Sequence, residues 1–322
     1  MARQAGSVMA SEDQLFDDRE LFAGDPLNPD LDQVCPESIL ASLTSDERRQ
    51  RMTALIAQSH EIIDQAWKLA GGRMRAAWAV LFSGGNDSTV LAHLMRHRVD
   101  FAVHLDTTIG VPQTRQFVHD TCRQWGLDLV VRRAPVSYRD LVCGRWQGFP
   151  GPAHHQTTYQ RLKERPLDEV RSDIVTDRRR QRVLLIAGRR RSESRRRATV
   201  PLYELDGSAI WCSPIAMWAA GDLVVYRQMH DVPFNPVTDH LGMSGECLCG
   251  AYAQPGELDR LRLWYPQVAA EIDALQVDAV AAGIPEPFCR WGHGQGKPSG
   301  VGRMCSSCDV NQMGLFEEVP SA

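Results

Sequence analysis

The stretch Leu81-Phe82-Ser83-Gly84-Gly85-Asn86-Asp87-Ser88 decides the fold, because the hydrophobic rhythm of the chain changes across it. Before it, residues 76–82 form a continuous apolar segment of the kind found in parallel strands buried on both faces. After it, Val90, Leu91, Leu94 and Met95 recur at helical spacing. The loop therefore joins a strand to a helix. Gly84 and Gly85 allow a sharp turn and close backbone approach, and the helix opening near Ser88 offers unpaired amides to an anion. Ser83 and Ser88 add hydroxyls, and Asp87 adds a carboxylate suited to Mg²⁺ or to an orienting hydrogen bond. No Gly-Lys-Ser/Thr closes the loop and the three-glycine dinucleotide spacing is absent, so this is neither a Walker loop nor a Rossmann fingerprint.

Working outward, residues 1–43 mix Asp, Pro and Gly without periodicity and are expected to be irregular. Thr44-Ser45-Asp46-Glu47 has capping-box form and opens an amphipathic helix through Ile56, Ile63 and Trp67 that stops at Gly71-Gly72. A nucleotide-binding domain is expected over residues 44–240. Its strands fall at residues 76–82, 101–106, 127–131, 183–187 and 210–215, with helices to about His97, over 112–125 and over 222–230. Residues 138–176, rich in Trp, His, Gly and Pro before a helical portion, read as an insertion bearing on substrate. Residues 241–322 form a small Cys-rich segment with one helix near residues 257–276. The alternation predicts an α/β fold, a mainly parallel sheet with helices on both faces and ligands at the C-terminal strand ends.

The formal charge of -4 hides an asymmetry, because ten arginines fall between Arg178 and Arg197 while the first 40 residues are acidic. Lysine is nearly absent, with only Lys68, Lys163 and Lys297. No apolar run reaches membrane-spanning length and no signal peptide opens the chain, so a cytoplasmic location without membrane partners is the expectation. Nine cysteines, an odd number, point to thiols or metal ligands over a disulfide framework. Cys122, Cys143 and Cys212 read as small packing residues. Cys247-Leu248-Cys249 and Cys305-Ser306-Ser307-Cys308 read as two chelating pairs that together complete a tetrahedral set, with Cys289 as an alternative ligand.

The loop resembles the PP-loop of the ATP pyrophosphatase superfamily, whose signature is Ser-Gly-Gly-x-Asp-Ser. Four further segments are similar to one branch of it, the phosphoadenosine phosphosulfate (PAPS) reductases and the catalytic subunit of ATP sulfurylase. His104-Leu105-Asp106-Thr107-Thr108, with Pro112 and Thr114-Arg115, resembles a Val-Asp-Thr-Gly element followed by Pro-Glu-Thr, although Thr108 and Ile109 replace the usual glycine and Gln113 the acid. Ala187-Gly188-Arg189-Arg190-Arg191-Ser192-Glu193-Ser194-Arg195 is similar to a Gly-x-Arg-x-x-Glu-Ser-x-x-Arg loop. Cys212-Ser213-Pro214-Ile215 with Trp218 resembles Pro-Ile-x-x-Trp, and Val232-Pro233-Phe234-Asn235-Pro236 resembles Leu-Pro-x-Asn-Pro.

The resemblance implies an adenine nucleotide alpha hydrolase-like fold that holds ATP and Mg²⁺ through Ser83, Gly84, Gly85, Asn86, Asp87, Ser88, Asp106, Thr107 and Gly188. Asp87, Arg189 and Arg190 are the implied catalytic residues, stabilising phosphoryl charge while an acceptor is adenylylated and pyrophosphate leaves, followed by sulfur transfer. Several relatives, including the enzyme that makes phosphorothioate DNA, carry a four-cysteine iron–sulfur site. By that analogy Cys247, Cys249, Cys305 and Cys308 are expected to hold a 4Fe–4S cluster, with zinc as the alternative. The arginine run, with Trp146 and His154-His155, suits a DNA or tRNA acceptor, and a sulfur donor protein would complete the reaction. Sulfonucleotide reduction is the alternative activity, although Glu246-Cys247-Leu248-Cys249-Gly250 lacks the Gly-Leu-His of the reductase tail and the loop is complete. A non-catalytic nucleic-acid-binding protein is a further alternative.

Overall fold

A computed structural model describes residues 22–194 and 197–293. Thr44 caps α1 (Ser45–Lys68) as a full capping box with Glu47, as its sequence requires. The chain then alternates through β1 (Met74–Leu81), α2 (Asn86–Met95), β2 (Phe101–Asp106), α3 (Pro112–Trp125) and β3 (Leu129–Arg133). Short helical turns cross residues 138–164, two of them π-helical, and lead into α4 (Arg165–Ile174). Next come β4 (Gln181–Ile186), β5 (Tyr203–Asp206), β6 (Ala209–Cys212), α5 (Ala220–His230) and α6 (Pro236–Leu241). The C-terminal helix expected near residues 257–276 is instead two helices, α7 (Glu257–Trp264) and α8 (Pro266–Ala281). Pro266 has no amide hydrogen to continue α7 and instead occupies the first turn of α8.

The sheet order is β3-β2-β1-β4-β6-β5. All neighbours are parallel except β5, which pairs antiparallel with β6. Side chains alternate across it. Trp78, Val80 and Phe82 of the β1 region pack with residues of α1, α2, α3 and α5 on one face. Ala77, Ala79 and Leu81 pack with Leu167 and Val170 of α4 on the other. These are the two helical layers predicted for a doubly covered parallel sheet, and they explain the continuous apolar reading of β1. No helix among the described residues is long and apolar enough to cross a membrane.

A second core lies beyond the C-terminal end of the sheet. It joins Tyr138, Leu141 and Leu162 of the insertion to Leu248, Leu261, Ile272 and Trp291, so the insertion and the C-terminal segment share their apolar interior. The segment after α6 is tied to the loop after β2 by Val111 N donating to Gly245 O and Leu248 N donating to Ile109 O, each at 2.7 Å. A Cβ at Gly110 would collide with the Glu246 carbonyl, so glycine permits this approach.

Candidate nucleotide site

The strand order reverses at β1 and β4: from β1 the sheet extends through β2 and β3 on one side, and from β4 through β6 and β5 on the other. Loops leaving the C-terminal ends of two such strands bound a crevice, and in open α/β sheets that crevice is where ligands bind. The loop from Ser83 to Ser88 leaves β1, and the Gly188 turn leaves β4. The two stretches singled out in the sequence, 100 residues apart, are thereby brought face to face.

Gly84 has φ +81, and a Cβ there would lie 2.9 Å from Thr114 Cγ2. Its carbonyl accepts from Asn235 Nδ2 at 2.9 Å, and Asn235 also donates to Thr114 Oγ1 at 3.2 Å. The Pro-x-Asn-Pro turn thus works as a brace for the loop. Gly85 caps α2 without any side-chain hydrogen bond, so the first amides of α2 are left for a ligand. Ser88 Oγ lies 3.1 Å from both Ser83 Oγ and Gly85 O. Asn86 Oδ1 is shielded from solvent with no hydrogen-bond partner among the described residues. A Cβ on Gly188 would sit 3.2 Å from the Asp87 carbonyl carbon and from Ser88 N, so the β4 turn presses directly on the start of α2.

Asp87 and Arg190 form an ion pair, Nε to Oδ1 at 2.7 Å, with side chains 13 and 8 % exposed. Arg190 Nη1 also donates to Ser192 Oγ at 2.9 Å. Burial opposes its charge, but Asp87 outweighs burial and holds the guanidinium more firmly protonated. Arg189 is buried as well: Nε donates to Ser213 Oγ at 2.8 Å, Nη1 reaches Glu204 at 3.4 Å, and the group lies 5.6 Å from the Trp211 ring. Its Nη2 has no hydrogen-bond partner among the described residues, and burial lowers the pKa of the group. Arg197 pairs with Glu193 at 3.2 Å inside the same turn, whereas Arg195 lies outside the described residues.

At the end of β2, Asp106 accepts from Thr108 N at 2.9 Å and pairs with Arg115 at 3.0 Å. Thr107 is 1 % exposed and donates to Glu246 O at 2.7 Å, which fixes the C-terminal segment to the site. Thr108 has φ +64, so the left-handed turn that glycine makes in the resembling motif is kept here by a threonine. Its hydroxyl accepts from Tyr138 N at 2.7 Å.

Cys247 and Cys249 bring their thiols within hydrogen-bonding reach, and that contact together with burial pushes the Cys247 thiol well up. Cys305 and Cys308 lie outside the described residues. Cys289 is buried beside Glu286 and Arg290 in its own turn. Among the described residues no group of three or more His, Cys, Asp or Glu side chains is gathered to hold a metal. Cys122 and Cys212 are buried, as packing residues should be, and Cys143 is half-buried. Sequence reasoning passed over Lys163 and Glu246, a buried ion pair at 2.8 Å that pins the π-helical turn of the insertion to the segment bearing Cys247. The scarcity of lysine in this chain was the available signal.

Residues 77–243 match the family model described as the phosphoadenosine phosphosulfate reductase domain. The phosphoadenosine 5'-phosphosulfate reductase of Xanthomonas euvesicatoria pv. vesicatoria is 30% identical over 240 residues, covering 72% of this chain and 90% of that protein. Among solved structures, the phosphate complex of PAPS reductase from Candida auris overlaps 62% of this chain and 92% of its own, at 16% identity and a TM-score of 0.42. The U34-tRNA thiolase NcsA of Methanococcus maripaludis, solved with its [4Fe-4S] cluster, overlaps 83% of this chain and 91% of its own at 11% identity and a TM-score of 0.40. With its loop, its strand order and its matched residues in agreement, the chain belongs to the PAPS reductase family of the PP-loop ATP pyrophosphatase superfamily.

Proposed function

We propose that this enzyme binds ATP and transfers adenylate to an acceptor with release of pyrophosphate, as the activating step of a sulfur transfer. The observation that carries this reading is the complete Ser83–Ser88 loop, opening α2 with uncapped amides at the switch point. Those amides suit the phosphates of a triphosphate. In the step itself the acceptor attacks the α-phosphorus, the bond to the bridging oxygen breaks, and pyrophosphate leaves with that electron pair. A sulfur nucleophile then displaces AMP from the acceptor.

The chain's own groups supply positioning and charge. Asp87 Oδ1 is held by Arg190, which leaves Oδ2 as the oxygen that would reach Mg²⁺, and the ion would neutralise phosphate charge. Arg189 Nη2 is a donor available to the nucleotide. Cys247 and Cys249 fit one edge of a four-thiolate site, with Cys305 and Cys308 as the other edge. A 4Fe–4S cluster there, or zinc in its place, would supply a thiolate-bound metal close to the loop that follows β2. A polyanionic acceptor, DNA or tRNA, is favoured by Arg145, Arg161 and Arg165 on the insertion. Burial and the charges of the other two lower the Arg161 pKa, and none of the three forms an ion pair among the described residues.

Sulfonucleotide reduction is the second reading. It is favoured by the names of the relatives and by Glu246-Cys247 lying against the loop after β2. One experiment separates the two. Incubation with Mg-ATP is expected to release pyrophosphate and AMP slowly, faster with the right acceptor, with no thioredoxin-dependent sulfite from PAPS. Sulfite formed and then lost in Cys247→Ser, with ATP ignored, would establish the reductase instead.

A further inference from the structure

We propose that Arg227 is a phosphate-binding residue of this site and holds the part of the triphosphate that leaves as pyrophosphate, an assignment that rests on the ATP reading above. Arg227 lies on α5, on the face that carries buried Leu223 and Tyr226. Its Nε and Nη2 are shielded from solvent and have no hydrogen-bond partner among the described residues. Leaving such donors unmet inside a folded protein is costly, the more so for a charged group. A site that tolerates this cost unliganded is built for an acceptor that arrives later.

Position identifies the acceptor. The guanidinium carbon lies 4.8 Å from the centroid of the Phe234 ring, a cation–π contact that seats the group against it. The next residue, Asn235, donates to the Gly84 carbonyl at 2.9 Å, so the guanidinium stands beside the wall of the phosphate loop. The carboxylates in electrostatic reach are Asp87 at the start of α2 and Asp239 on α6, yet Arg227 forms an ion pair with neither. Asp87 Oδ1 is already taken by Arg190.

Arg190 and Arg189 each commit Nε and Nη1, Arg190 to Asp87 and Ser192 and Arg189 to Ser213 and Glu204. Arg227 therefore offers two adjacent uncommitted N–H groups, Nε and Nη2. That edge of a guanidinium matches two oxygens of one phosphoryl group.

The test is titration calorimetry of the full chain with Mg-ATP and with AMP, on wild type, Arg227→Met and Arg227→Lys. Wild type is expected to bind Mg-ATP. Arg227→Met should weaken ATP at least tenfold and change AMP less than twofold, and Arg227→Lys should fall between, since it keeps the charge and loses the fork. Without nucleotide, Arg227→Met should melt at or above the wild-type temperature, because its apolar side chain leaves no unmet donor. Equal weakening of ATP and AMP, or no weakening in either variant, overturns the assignment while leaving ATP binding intact. A wild-type chain that does not bind Mg-ATP overturns the assignment together with the reading it rests on.

Discussion

The arginines between Arg178 and Arg197 look uniform in sequence but form two populations separated by one strand. Arg178, Arg179 and Arg180 stand exposed at the start of β4, where their charges meet water, a 3.3 Å bond from Arg178 to Ser172 Oγ and a loose contact from Arg180 to Asp177 at 3.8 Å. Arg189, Arg190 and Arg197 follow its end and are buried, each paired with a carboxylate. Six residues of strand separate the groups, roughly 20 Å at about 3.3 Å per residue. That exceeds a Debye length of about 8 Å in physiological salt, so the two groups do not reinforce each other's field on one small anion. Among the described residues, Arg189, Arg190 and Arg197 are internal to the turn after β4, whereas Arg178, Arg179 and Arg180 point off the opposite end of the sheet.

The largest effect that sharpens this contrast is expected at Arg190. Arg190→Ala leaves Asp87 buried at the start of α2 without its partner, and breaking a buried pair costs about 3–5 kcal/mol. Urea denaturation should show that loss. A loss below about 1 kcal/mol would mean that water already relieves the pair, and that Arg190 is as solvated as Arg178.

The far end of α2 offers a smaller effect with a defined pH window. His93 is 7 % exposed, its Nδ1 lies 2.9 Å from Tyr226 Oη, and its ring sits edge-on to Trp125. Burial, then the charge of Arg96, lowers its pKa from 6.5 to about 4. The unfolded chain then binds the extra proton between those values, so stability is full above pH 6.5 and falls as pH drops toward 4. The expected contribution is about 2 kcal/mol once partial hydration of the ring is allowed for. His93→Gln should flatten the difference in urea midpoint between pH 7 and pH 5. An unchanged slope would place the acid sensitivity in the carboxylates of the crevice instead.

What could be read in advance follows from burial. β2 and α3 fall at the residues their apolar spacing and Pro112 indicate, and β1 and β4 within two or three residues of theirs. Those strands are central and covered on both faces, so nearly every position must be apolar. β3 runs two residues later than its sequence indicates because, at the sheet edge, Arg132 can pair with Asp173 of α4 and Arg133 can keep its charge near water. β5, Tyr-Glu-Leu-Asp, gave no signal: it is a half-exposed edge strand, and only its pairing with β6 defines it.

At the site, the loop and the Gly188 turn were legible because close backbone approach demands glycine, which marks the local sequence even where the neighbour it meets is distant. The Asp87–Arg190 pair was not, since it joins residues 103 apart that only the strand order brings together. Arg227 left a trace that passed unread. It lies one turn after Leu223 and next to Tyr226 on the buried side of α5, where a charge needs a reason.

The smallest expected effect is at the exposed population, and it decides where a polyanionic acceptor would dock. Changing Arg178, Arg179 and Arg180 together to Gln should leave stability within about 0.5 kcal/mol, because no buried partner is lost. It should also leave Mg-ATP affinity unchanged, because the crevice is a strand length away. If DNA or tRNA is the acceptor, its binding to wild type should weaken with salt, by roughly 0.7–0.9 in the log–log slope for each phosphate neutralised. The insertion arginines Arg145, Arg161 and Arg165 lie on the chain that runs from the loops at the C-terminal strand ends into α4, and Lys163 in the same turn is bonded to Glu246 beside the loop after β2. Changing those three to Gln should reduce the slope by up to about 2–3, whereas the Arg178–Arg180 triple should not move it. A slope that responds to Arg178–Arg180 and not to the insertion would put the polyanion on the face away from the nucleotide and leave the crevice with a small-molecule acceptor.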